Sequence, residues 1–139
     1  MKNKGFTLIE LLAVIVILAI IALIATPMIL GVIDDAKKKS AQTSAQYYVE
    51  AVEKSMMVHQ MNTNTSVADD TYTVGADGVT LTGAKGGSFT VSVKGDKAKQ
   101  GGTVTITNGQ VTGATLTFEG IIAKAVTVKA DGSTTIAAS

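Results

Sequence analysis

From Leu11 onward the chain runs for 23 residues without a charge, LLAVIVILAIIALIATPMILGVI, until Asp34 and Asp35 end the run. Wound as an α-helix, such a stretch extends about 35 Å, enough to cross a hydrocarbon layer of about 30 Å. A chain of 139 residues that gives this much to one helix has room left for a single small domain. A secretory signal has a shorter apolar core, roughly 7–15 residues, followed by a small-x-small cleavage site. This run is longer, and no such site precedes the charged stretch. An ordinary membrane anchor fits the length but leaves Glu10 unexplained, because a carboxylate at the head of a spanning segment is costly and usually marks a function. The plainer alternative is that Glu10 snorkels to the headgroups. Lys2 and Lys4 place the start of the chain on the cytoplasmic side and everything after Ile33 outside, although Lys37, Lys38 and Lys39, beside Asp34 and Asp35, argue the other way.

The remaining composition narrows the chemistry. The formal charge is +1, and all twelve basic residues are lysines, so neither a strong field nor the planar guanidinium fork favours nucleic acid; DNA binding is not indicated. Cysteine is absent, which removes disulfides, thiol chemistry and thiolate-held metals. His59 is the sole histidine and has no partner of metal-ligating type nearby in the sequence. No GxSxG and no phosphate-binding loop is present; the glycine-rich stretch Gly83-Ala-Lys-Gly-Gly lacks the loop-to-helix context that cradles phosphate. Asp69-Asp70 and the other aspartates do not follow calcium-loop spacing. Asn64-Thr65-Ser66 has the form of an N-glycosylation acceptor, a triplet common by chance. These residues argue against an enzyme and against any cofactor.

Beyond the apolar run the periodicity stays helical but becomes amphipathic. Ala41, Ala45, Tyr48, Val52 and Met56 recur at helical spacing and mark one face, with Lys38, Lys39, Gln42, Gln46, Glu50, Glu53 and Lys54 largely off it. One helix is therefore expected from about residue 6 to about residue 60, its inner stripe packed on a sheet formed by the rest of the chain. Tyr47, Met57 and His59 read as packing or surface residues. The polar run NTNTSVADD over residues 62–70 reads as a loop. After it, Thr, Val and Gly dominate with a period of two: SFTVSVK puts Phe89, Val91 and Val93 on one face. TVTIT and QVTGATLTF flank Asn108-Gly109, the strongest short hairpin signal, and Asp131-Gly132 and Asp77-Gly78 suggest two more tight turns. The expectation is an α+β protein, a long N-terminal helix packed on a small antiparallel sheet of four to six short strands, one face on the helix and the other wet.

The N-terminal residues carry a specific resemblance. Lys-Gly-Phe-Thr-Leu-Ile-Glu, followed by the apolar helix, resembles the class III signal of type IV prepilins and pseudopilins, closely over residues 2–33. The resemblance implies the type IV pilin fold and cleavage after Gly5 by a membrane-embedded prepilin peptidase, which removes leader residues 1–5 and usually N-methylates the new terminus, Phe6. The 134-residue product would carry a formal charge of −1, with Lys2 and Lys4 gone. It also implies a division into a membrane-spanning, filament-core half over residues 6–33, an amphipathic half over 34–61 and a globular β-domain over 62–139. Glu10 of an incoming subunit would pair with the Phe6 amine of a neighbour, relieving the cost of a lone carboxylate in lipid and fixing the axial register.

Pro27, the chain's single proline, cannot donate to the carbonyl of Leu23, and Gly31 weakens the helix one turn later. By themselves they suggest a kink; the resemblance adds a segment that melts as subunits pack. Many type IV pilins tie down their C-terminal region with a disulfide. A chain without cysteine is closer to the pilins common in Gram-positive bacteria. The ending TTIAAS has no Leu-Pro-x-Thr-Gly sorting signal, which argues against a sortase-built pilus. The implied function is a structural subunit, a homo-oligomer in a helical filament. The resemblance implies an assembly ATPase and a membrane platform protein as partners, and passage from the cytoplasmic membrane to a surface pilus serving adhesion, motility or DNA uptake. The alternatives are a minor pilin or pseudopilin of a secretion or competence system and, from another class, a monomeric membrane-anchored binding module.

Overall fold

The computed structural model describes residues 4–137. It contains one helix, α1 (Leu8–Thr63), followed by β1 (Asp70–Val74), β2 (Thr80–Gly83), β3 (Ser88–Thr90), β4 (Thr103–Thr107), β5 (Gln110–Phe118), β6 (Ile122–Lys129) and β7 (Thr134–Ile136). The chain divides into two compact units, one ending at Ala36 and the other beginning at Lys37. In the first unit the described side chains are exposed throughout, apart from a half-buried Ala25, although nearly all of the helical ones are apolar.

The second unit has a conventional core. Ala41, Ala45, Tyr48, Val52 and Met56, the expected helix face, are all buried. They pack with Tyr72, Val74, Leu81, Val104, Ile106, Leu116, Phe118, Val126 and Val128 from the inward face of the sheet. Each large side chain buried this completely contributes roughly 1.5–3 kcal/mol of transfer free energy. The arrangement is therefore α+β, a long N-terminal helix against an antiparallel sheet. The strands lie in the order β3-β2-β1-β4-β5-β6-β7. That is seven strands rather than four to six. The two edge strands, β3 and β7, have three residues each, too few for alternation to register them reliably. β3 is also shorter than the SFTVSVK pattern suggests. The Val91 N–H still donates to the Val79 carbonyl at 2.8 Å, after which the chain leaves the sheet and the N–H of Ser92 donates to Ser55 Oγ on α1 at 3.0 Å.

All three expected turns form. Asn108 and Gly109, between β4 and β5, both have positive φ, 53° and 72°, which is the geometry of a type I′ hairpin turn. Gly78, between β1 and β2, has φ 71°, and an added Cβ would come within 2.5 Å of the Ala98 carbonyl oxygen. Its own carbonyl accepts the Tyr48 hydroxyl at 3.0 Å. On the outer face the pairing registers join Ser88, Thr82, Thr73, Thr103, Thr115, Thr127 and Thr135 into one row across all seven strands. β-Branched threonine suits an exposed pleated surface, and cross-strand pairs of this kind contribute roughly 0.2–1 kcal/mol each.

Asp77 clamps the β1–β2 turn. Its carboxylate accepts the Thr80 hydroxyl at 2.6 Å and the N–H groups of Thr80 and Val79 at 2.8 and 3.0 Å. The Thr80 hydroxyl, then these amides, hold the carboxyl down from its ordinary 3.8 to about 2. Asp70, chiefly through the Lys85 N–H, and Asp131, chiefly through the Ser133 side chain, are shifted in the same direction. Carboxyls lowered in the folded state stabilise it above their unfolded pKa, and that contribution disappears as pH falls through the folded value. The thermal midpoint of the β-domain should therefore decline between about pH 4 and pH 2, as followed by near-ultraviolet circular dichroism of the detergent-solubilised chain. Asp77→Asn should flatten that decline. A variant with the wild-type pH profile would show that the clamp contributes nothing.

Candidate functional site

The candidate site is the first turn of α1, where the one acid of the apolar segment lies. Thr7 is the residue immediately before the helix, and its carbonyl accepts the first helical bond, from the Leu11 N–H at 3.2 Å. Three residues on, the Glu10 carboxylate turns back. Its Oε2 accepts the Thr7 main-chain N–H and the Thr7 hydroxyl, each at 2.8 Å, while the Glu10 N–H donates to Thr7 Oγ1 at 3.3 Å. This reciprocal arrangement is a capping box, which satisfies helix-terminal donors that would otherwise be orphaned, and the acid also complements the positive end of the helix dipole. Thr7 completes this cap, and the sequence reading does not single it out. The signal is present, since Thr-x-x-Glu ahead of an apolar run is the box's own pattern.

The other expected site residues lie close by or further along the same helix. Gly5 and Phe6 precede the helix without regular structure, and the Phe6 side chain is 92 % exposed. Lys4 is exposed, whereas Met1, Lys2 and Asn3 of the expected leader lie outside the described residues. Phe6 and Glu10 are four residues apart along the chain, Phe6 just ahead of the helix and Glu10 in its first turn, with Thr7 between them. Pro27 and Gly31 both sit inside α1, which continues through them. Just before the proline, the Thr26 hydroxyl donates to the Ala22 carbonyl at 2.7 Å. A Cβ added to Gly31 would meet no atom within 4 Å, so packing within the subunit does not require glycine there.

The helix is long and apolar enough to cross a membrane, and its most apolar window is wholly unburied. Phe6, Leu8, Ile9 and the large side chains from Leu11 to Ile33 are exposed together. An apolar surface of this extent calls for lipid or a protein partner. In the second unit a groove of about 1260 Å³ runs between α1 and β3, lined by Tyr47, Ala51, Val58, His59 and Phe89 among others. Its charged residues include Glu50 and Lys54, paired with each other at 2.7 Å. His59 packs its ring 6.3 Å from that of Phe89. Among the described residues no group of three or more His, Asp or Glu side chains converges in a metal-binding arrangement.

Comparison with known proteins bears on the N-terminal site alone. Residues 1–26 match the prokaryotic N-terminal methylation motif. No curated protein and no solved structure matches the chain. The matched stretch contains Gly5, Phe6, Thr7 and Glu10 and most of the exposed apolar helix, and it points to a structural rather than a catalytic protein. Residues 1–26 thus carry the N-terminal signal found on type IV prepilins, here at the head of a helix that is followed by an antiparallel sheet, an arrangement that fits the pilin fold.

Proposed function

We propose that this chain is a prepilin, cut after Gly5 by a prepilin peptidase, methylated at Phe6, and polymerised through residues 6–33 into a type IV pilus. The observation that carries the proposal is the apolar surface of the first unit, whose large side chains from Phe6 to Ile33 are all exposed and of which residues 6–26 lie within the methylation motif. In the membrane lipid covers it; in a filament, helices of other copies do. Residues 62–139 then form the surface domain, with residues 34–61 joining the two. Glu10 pairs with the freed Phe6 amine of a neighbour, a charge-assisted bond in a medium that penalises either group alone. The segment around Pro27 and Gly31 is the place for α1 to lose helicity on packing, since Pro27 has no N–H for the Leu23 carbonyl. An assembly ATPase and a membrane platform protein drive the transfer from cytoplasmic membrane to cell surface. The cysteine-free composition suits a major pilin of the Gram-positive kind.

Intact mass and N-terminal sequencing of protein sheared from its own cells test this. The expected result is an abundant 134-residue chain starting at Phe6, heavier by one methyl group, in filaments visible by electron microscopy. A processed chain that is scarce and stays in the membrane would indicate a pseudopilin or minor pilin. A chain still starting at Met1, found only in membranes, would leave a monomeric anchored module.

A further inference from the structure

We propose that Thr7 is a positioning residue for filament entry. It holds one oxygen of the Glu10 carboxylate inside the subunit and leaves the other to receive a neighbour's amine. The inference rests on the filament reading above and adds a residue to it.

Both bonds from Thr7 converge on Oε2, one from the main chain and one from the hydroxyl. Among the described residues, Oε1 accepts no hydrogen bond. A glutamate side chain is long and rotatable, so leaving it unrestrained would require an incoming amine to order it at the moment of docking. The box orders it beforehand and fixes which oxygen faces outward. The same bonds address the waiting period. A lone carboxylate near a membrane is expensive, and two donors on Oε2 lower that cost while a free subunit resides in lipid. All three bonds lie on the C-terminal side of the Gly5–Phe6 bond, so cleavage leaves them intact and changes only the terminus beside them.

This separates two roles that Glu10 combines. Glutamine in its place can still close the box, because Gln accepts from the cap residue as Glu does, but it carries no charge for the amine. Thr7→Val keeps the shape of the side chain and deletes the hydroxyl, removing one donor to Oε2 and the acceptor for the Glu10 N–H. Thr7→Ser keeps both.

The test is quantitative immunoblotting of sheared filaments against the cleaved cellular pool, in cells expressing each full chain at equal level. Thr7→Val should be cut normally, yet its filament-to-pool ratio should fall three- to tenfold. Thr7→Ser should stay within twofold of wild type. Combined with Glu10→Gln, Thr7→Val should cause no further fall beyond Glu10→Gln alone, since the group it positions is gone. Thr7→Val assembling like wild type, or losing the same factor in both backgrounds as a plain helix cap would, overturns the proposal. The wild-type lane stands apart: no filament there overturns the pilus reading and this inference with it, whereas wild-type filaments with an indifferent Thr7→Val overturn the inference alone.

Discussion

Replacing Glu10 by alanine should leave cleavage after Gly5 intact and reduce filaments at least tenfold, while Glu10→Gln should fall between alanine and wild type. The scissile bond lies five residues before Glu10, and Gly5 and Phe6 have no regular structure to be disturbed. What the alanine removes is the carboxylate that Thr7 holds at 2.8 Å and that an incoming amine would meet. With the acid gone, the buried amine of a neighbour has no counter-charge, and leaving one partner of a buried pair alone costs about 3–5 kcal/mol. Since about 1.4 kcal/mol is a factor of ten in an equilibrium, a fraction of that penalty suffices for the expected loss. Glutamine preserves the capping box with its single oxygen but turns an NH2 group toward the amine where glutamate has a charged oxygen, so it restores geometry without the ion pair. The measurement is the amount of Phe6-terminated protein in the sheared fraction relative to the membrane. Wild-type filament yield from Glu10→Ala would remove the ion pair from the assembly mechanism.

The parts of the molecule that are legible from sequence are those governed by local rules. The buried helix face Ala41, Ala45, Tyr48, Val52 and Met56 follows from a period of 3.6, and the turns at Asp77-Gly78, Asn108-Gly109 and Asp131-Gly132 follow from which residues accept positive φ. The apolar run and Glu10 are legible because a charge at the head of such a run is rare. What escapes depends on contacts distant in sequence. Ser55 is buried on α1, and its role is to receive the Ser92 N–H where the chain leaves β3; no pattern within either segment encodes that meeting. Residues 91–102 carry the chain from the edge of the sheet to its centre. They are held by Ser44 Oγ on Asp96 at 2.7 Å and by a bridge between Ala98 and Phe118, again pairings between separate elements. Thr7 is a different kind of miss. Its pattern is local, but the charge of Glu10 masks the helix cap that the same residue completes.

Tyr48→Ala should be the most damaging single change in the β-domain, lowering its stability by about 3–5 kcal/mol, the usual range for deleting a large buried aromatic side chain. Tyr48 is 0 % exposed. Its ring meets that of Phe118 edge-on at a centroid distance of 6.5 Å, and its hydroxyl donates to the buried Gly78 carbonyl at 3.0 Å. Burial, with Asp77 nearby, pushes the hydroxyl up to about 12, so it remains a donor throughout the physiological range. One side chain thus joins the helix to the β1–β2 turn and to β5. The alanine opens a cavity among all three and orphans the Gly78 carbonyl. Tyr48→Phe isolates the second effect: the ring contact persists, and losing one hydrogen bond to a buried acceptor should cost about 1–3 kcal/mol. For a domain of this size about 1 kcal/mol moves the thermal midpoint by about 4–8 °C. Melts of the detergent-solubilised chain should therefore rank wild type above Tyr48→Phe and Tyr48→Ala lowest, by well over 10 °C. Equal midpoints for phenylalanine and wild type would show that the hydroxyl is spectator to a junction made by the ring alone.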